Sequence, residues 1–232
     1  MKKVLIVALA TVALAACNQE ASLESEKSKF SYLVGQDVGT SLKHMSDEID
    51  VAAFQAGFEA NLRGEESRIS AADAEKVKKS FIERKQKELA AKARENGEAN
   101  KKSGAAFLAA NKQKEGITET PSGLQYEVLT PADGEKPSAS STVRVHYRGT
   151  FMDGEEFDSS YKRGEPAEFP LMGVIPGWTE GLQLMSVGSK YRFFVPSALA
   201  YGEQGRGKIG PNALLIFEIE LLDIVKAEKG GK

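Results

Sequence analysis

The order of apolar and polar positions divides the chain into regions of different periodicity. An uncharged, largely apolar run of thirteen residues, Val4 to Ala16, follows Lys2 and Lys3. A membrane-spanning helix needs about 20 apolar residues, so this run is too short to cross. Its basic start and small-residue end predict a secretory signal peptide over residues 1–16. From about Leu23 the spacing becomes helical, with Phe30, Leu33, Val34, Val38 and Leu42 at three- and four-residue intervals. Asp50 reads as the N-cap of a second helix carrying Val51, Phe54, Phe58 and Leu62, with Gly64 as its stop. Two such short helices cannot cover both aromatic faces, so the all-α region at 17–69 is expected to need a partner.

Ser70 followed by Asp73 has the spacing of a capping box. The stretch 70–115 contains no proline and is rich in Ala, Lys, Glu, Gln and Arg, which predicts one long connecting helix of about 60–70 Å. Its apolar positions thin out after Leu89, and no heptad seam continues, which argues against a coiled coil. A helix that is polar nearly all round is expected to bridge two bodies through solvent. Gly97 and Gly104 would weaken it by about 1 kcal/mol each relative to Ala and mark a bend.

Past Gly116 the period shifts towards two. Gln125–Thr130, Thr142–Phe151, Lys190–Pro196 and Leu214–Val225 are rich in β-branched and aromatic residues. Val143, Val145, Tyr147 and Phe151 share one face, and Leu215, Phe217, Ile219 and Leu221 alternate with Glu218 and Glu220. Asp153-Gly154 is a hairpin signal, and a short helix is expected at about Gly177–Met185. Residues 116–232 therefore read as an α+β domain, an antiparallel sheet wrapped on a short helix. No internal repeat is visible.

Composition is that of a soluble protein, 41% hydrophobic and 28% charged, with a formal net charge of −2. No basic stripe points to nucleic acid. Cys17 is the only cysteine and follows Leu14-Ala15-Ala16 directly. That run resembles the lipobox of bacterial lipoproteins, where the cysteine is acylated and becomes the new N-terminus. The alternative is ordinary cleavage that leaves a free thiol. The lipoprotein resemblance, with Asn18 after the cysteine, implies a periplasmic protein anchored by lipid to the outer membrane.

Three stretches stand out: Val145-His146-Tyr147-Arg148-Gly149 with Phe157-Asp158-Ser159-Ser160; Val174-Ile175-Pro176-Gly177-Trp178; and Ala200-Tyr201-Gly202 followed by Ile216 to Leu222. In order and spacing they resemble the FK506-binding prolyl isomerases. The likeness covers about 117–226. The run around Tyr32–Gly39, with Phe54–Gly64, resembles the helical dimerisation segment of the macrophage infectivity potentiator-like members. The resemblance implies a peptidyl-prolyl cis–trans isomerase that assists folding of exported proteins. It would act as a homodimer, without cofactor or metal, on proline-containing unfolded polypeptides, and would bind FK506-like macrolides.

It also implies a pocket in which Tyr147, Phe157, Asp158, Trp178, Tyr201 and Phe217 carry catalysis. Phe169, Val174, Ile175 and Ile209 would bind substrate beside them. Trp178 would be the floor, Tyr201 and the Ile175 N–H would meet substrate carbonyls, and Asp158 would be tied to Tyr147 and Arg163. Ala167 stands where relatives often carry an aromatic residue, which would leave that edge open. By residue type alone, Phe157, Val174, Ile175 and Phe217 read equally well as core.

Gly202–Lys208 fits the spelling Gly-x-x-x-x-Gly-Lys, but Ile209-Gly210-Pro211 follows where a phosphate loop needs Ser or Thr and a helix. His44 and His146, the only histidines, lie in different halves with no second cysteine near. The competing function is a dimeric holding chaperone in which catalysis is secondary.

Overall fold

The structure, a computed structural model, describes residues 22–225; the expected signal peptide and the lipid site at Cys17 lie outside them. Contacts divide the chain near residue 74 into two units.

In the first unit, α1 (Glu26–Leu42) starts at Ser25, whose side chain accepts from the Ser28 N–H at 3.0 Å. A 3-10 turn at Lys43–Glu48 leads to α2 (Val51–Leu62). Asp50 caps α2 as expected, accepting from the Ala53 N–H at 3.0 Å. Gly64, at φ 69°, ends it in the left-handed region. Not one residue of α1 or α2 is buried. Phe30 is 67% exposed and Leu62 72% exposed, and Phe30, Val34, Val38, Phe54 and Phe58 line an apolar groove of about 690 Å³. These helices have the amphipathic pattern of a core but no core.

The long helix α3 (Ala71–Asn111) starts at Ser70, whose hydroxyl accepts from the Asp73 N–H and donates to the Asp73 carboxylate. At its C-terminal end the expectation of a solvent-bridging helix with glycine weak points gives way to a different arrangement. Gly97, Gly104 and Asn111 are buried. A Cβ on Gly97 would lie 3.1 Å from the Pro211 side chain, and one on Gly104 would lie 3.4 Å from Leu214. The two glycines thus serve close approach between helix and loop. Asn100 Nδ2 donates to the Pro211 carbonyl at 2.9 Å, and Phe107 packs on Phe194 with ring centroids 5.7 Å apart.

The strands are β1 (Ile117–Glu119), β2 (Gln125–Thr130), β3 (Thr142–Thr150), β4 (Glu156–Ser159), β5 (Ala167–Pro170), β6 (Lys190–Val195) and β7 (Leu215–Val225). They form one antiparallel sheet in the order β1-β2-β6-β7-β3-β4, with β5 also on β3. Alternation decides the inner face: Val143, Val145 and Tyr147 of β3 and Leu215, Phe217, Ile219 and Leu221 of β7 are buried. The inner face packs on α5 (Pro176–Leu184), which buries Trp178 and Leu182. A single turn, α4 (Ser160–Arg163), follows β4. The strands β1, β4 and β5 and the turn α4 were not foreseen from the sequence.

Candidate functional site

The site begins with how β3 is paired. One edge runs along β7, Tyr147 opposite Ile219. The other edge is shared: β5 covers Thr142 to Val145, and β4 covers Arg148 to Thr150. Tyr147 falls in the gap, where its backbone has no strand to pair with. Buried Ser160 fills that role, its hydroxyl lying 2.8 Å from the Tyr147 N–H nitrogen and 3.2 Å from the Tyr147 carbonyl oxygen. His146 Nδ1 lies 3.0 Å from the same hydroxyl, and its ring stacks on Tyr161.

Tyr147, carried on the inner face of β3 by the alternation of the strand, lines a concave pocket of about 440 Å³. Trp178 is its floor, only 5% exposed. Ile175 caps α5 and Pro176 opens it, which sets Trp178 in the first turn facing the sheet. Three rings meet the indole edge-on: Tyr147 at 5.1 Å, Phe169 at 5.4 Å and Phe217 at 5.3 Å between centroids. Phe157 meets Phe217 at 5.6 Å, again edge-on. Such contacts contribute about 0.5–1.5 kcal/mol each beyond area burial and fix ring orientation. The buried indole N–H has no hydrogen-bond partner among the described residues.

One wall is polar. The Tyr147 hydroxyl donates to Asp158 Oδ2 at 2.5 Å, while Arg163 donates to Asp158 Oδ1 at 2.7 Å and to the Tyr147 hydroxyl at 2.8 Å. The turn α4 carries Arg163 back over Asp158, and its guanidinium also lies over the Tyr147 ring. Burial pushes the Asp158 carboxyl up, but hydrogen bonds from Tyr147 and Arg163 and the charge of Arg163 outweigh it, so the net direction is down. Burial, and then the hydrogen bond to Asp158, push the Tyr147 phenol above its ordinary value. At neutral pH the triad is a carboxylate, a phenol and a guanidinium. None of the three is poised to exchange a proton.

Two donors at the rim are unused. The Tyr201 hydroxyl and the Ile175 N–H have no hydrogen-bond partner among the described residues, and both residues line the pocket beside Val174. Of the ten residues that the sequence assigned to catalysis or substrate binding, nine line it and Ile209 does not. The Arg206 and Ile209 backbones bond each other in a tight turn, which sets Ile209 against the hydrophobic core and Arg206 at the pocket. Ala167 pairs with Val145 and packs against the core without lining the pocket. Arg206, marked in the sequence only by its glycine-rich loop, and Ser160, at the end of Phe157-Asp158-Ser159-Ser160, gain their places only from the fold.

The Gly202–Lys208 stretch leads into β7 with no helix between them. No group of three metal-ligating side chains stands together among the described residues, and none of their helices is long and apolar enough to cross a membrane.

The chain is similar to known proteins over most of its length. The model of the FKBP-type peptidyl-prolyl cis-trans isomerase matches residues 133–222, and the model of the domain amino terminal to that isomerase matches 27–128. Residues 1–18 match a prokaryotic membrane lipoprotein lipid attachment site. The chain is 42% identical over 219 residues to an FKBP-type peptidyl-prolyl cis-trans isomerase, FkpA, of Aeromonas hydrophila, covering 91% of this chain and 81% of the relative. It is also 42% identical over 227 residues to the outer membrane protein MIP of Legionella longbeachae, covering 96% of each. The crystal structure of FkpA from Escherichia coli aligns with a TM-score of 0.69 at 34% identity, over 88% of this chain and 98% of that one.

Proposed function

The chain belongs to the FKBP-type peptidyl-prolyl cis-trans isomerases and is a periplasmic, membrane-anchored isomerase; from that premise we propose how its pocket acts and on what. Rotation about an Xaa-Pro bond faces a barrier of about 18–20 kcal/mol, because resonance gives the C–N bond double-bond character. Water stabilises the planar, charge-separated amide more than the twisted one. A proline ring resting on Trp178, between Tyr147, Phe169 and Phe217, loses that water. The unused Tyr201 hydroxyl and Ile175 N–H hold substrate carbonyls in the twisted geometry. Binding the twisted form better than either planar form is then sufficient for catalysis, with no proton transfer.

The observation that carries this reading is an aromatic floor with free donors at its rim and a polar wall already satisfied internally. A peptide isomerisation assay tests it, with wild type beside Tyr201→Phe and Asp158→Ala and with an FK506-like macrolide added. Slower interconversion in both variants and inhibition of wild type are expected. Wild-type rates in both variants, with no inhibition, would overturn it.

We further propose that two copies pair through the apolar faces of α1 and α2, which lack any core of their own. On this reading the lipid is carried by Cys17 in the outer membrane, and the clients are exported, proline-containing unfolded polypeptides. A holding function would share the same helices. It predicts that removing residues 18–70 abolishes suppression of client aggregation while peptide isomerisation persists; retention of both activities in a monomer would exclude it.

A further inference from the structure

We propose that Arg206 is a specificity-determining residue that favours peptides with a carboxylate next to the proline. The inference rests on the pocket reading above. Among the described residues that line the pocket, Asp158 and Arg206 are the two that carry a full charge. Asp158 is occupied by Arg163 at 2.7 Å and by the Tyr147 hydroxyl at 2.5 Å, so its charge is already balanced. The Arg206 side chain is exposed and has no hydrogen bond or ion pair among the described residues. The pocket mouth therefore presents one uncompensated positive charge.

The backbone that carries this charge is held in place. The Arg206 N–H donates to the Ile209 carbonyl at 2.8 Å, and the Ile209 N–H returns to the Arg206 carbonyl at 3.0 Å. Gly205, at φ +67°, shapes the turn, and a Cβ there would lie 2.2 Å from the Ile209 carbonyl oxygen, so no other residue fits. The Asn212 N–H donates to the Gly202 carbonyl at 2.8 Å, and its side chain donates to the Gly97 carbonyl of α3 at 3.3 Å. The loop is thus pinned at its base and on its helix side, and Arg206 projects from a fixed origin. Glu203 and Lys208, on the same loop, are exposed, opposite in sign and outside the lining.

A guanidinium offers five donors in a planar fork that matches a carboxylate. At the pocket, such a cation attracts Glu or Asp flanking the proline and repels Lys or Arg. An exposed pair of this kind changes kcat/KM by about two- to five-fold.

The test uses the mature full-length chain and two peptide series. In one the residue before proline is Glu, Gln or Lys, and in the other the residue after it is varied likewise. Wild type is expected to favour the Glu peptide over the Lys peptide in at least one series, with the ratio shrinking as salt is raised. Arg206→Glu should reverse that ratio, and Arg206→Lys should keep its direction. A Glu-to-Lys ratio that is the same in wild type and Arg206→Glu in both series overturns the proposal. The Gln peptide separates the two levels of inference. If the pocket reading itself fails, Tyr201→Phe and Asp158→Ala leave Gln-peptide turnover unchanged. If only the role of Arg206 fails, those variants slow it while the Glu-to-Lys ratio stays unmoved by Arg206→Glu.

Discussion

The Tyr147 hydroxyl donates to the Asp158 carboxylate across 2.5 Å, and the Arg163 guanidinium bonds both groups, at 2.7 and 2.8 Å. Each of the three holds another in the protonation state it already has at neutral pH. The triangle is therefore a fixed electrostatic wall rather than a proton relay.

That arrangement has a pH signature. Asp158 titrates lower in the fold than unfolded, so its stabilising contribution is complete above the ordinary carboxylate value of about 3.9 and is lost as pH falls through the depressed value. Tyr147 titrates higher, so its contribution is complete below about 10 and is lost as pH rises through the raised value. Isomerisation of a neutral peptide should be flat between roughly pH 5 and 9. A bell-shaped profile centred near neutrality, measured as kcat/KM, would instead reveal an acid/base pair.

Ser160 is expected to matter out of proportion to its size. Replacing it with Ala leaves the Tyr147 N–H and carbonyl without the partner that fills the gap between β4 and β5. Stability should fall by about 1–3 kcal/mol, as for other buried backbone groups left unpaired. Chemical denaturation measures that loss, and unchanged stability would mean that water or a strand shift replaces the hydroxyl. Ser160→Thr keeps the hydroxyl and separates its loss from a change in size.

Gly97 allows a prediction in which two effects oppose each other. Alanine gains about 1 kcal/mol of helix propensity over glycine. Its Cβ, however, would lie 3.1 Å from the Pro211 side chain, closer than comfortable contact. Gly97→Ala should therefore be nearly neutral. Gly97→Leu overfills the contact and should cost about 1–3 kcal/mol. Thermal unfolding distinguishes the two variants, and a stabilised Gly97→Leu would show that helix and loop do not pack there in solution.

Much of this was legible in the sequence, for reasons of local physics. The starts of α2 and α3 were marked by side chains that satisfy free backbone N–H groups within three residues, Asp50 for Ala53 and Ser70 for Asp73. The faces of β3 and β7 followed from strict alternation over long strands. The four-residue strands β4 and β5 were not legible, because so short a segment has no period to read. They are strands because β3 offers an edge to each.

The site divides along the same line. Motif spacing was enough to name Tyr147, Phe157, Asp158, Phe169, Trp178, Tyr201 and Phe217 together, since order and residue type survive in a linear string. Ser160 under Tyr147, Arg206 in place of Ile209 at the rim, and Gly97 as a contact rather than a weak point depended on chain segments that meet only after folding. Helix caps and alternating faces are settled within a few residues of chain, and the sequence alone decided them. Which backbone groups lack a partner, and which charge stands uncompensated at the pocket mouth, depend on neighbours as far as 115 residues away, as between Gly97 and Asn212, and only the tertiary structure decided those.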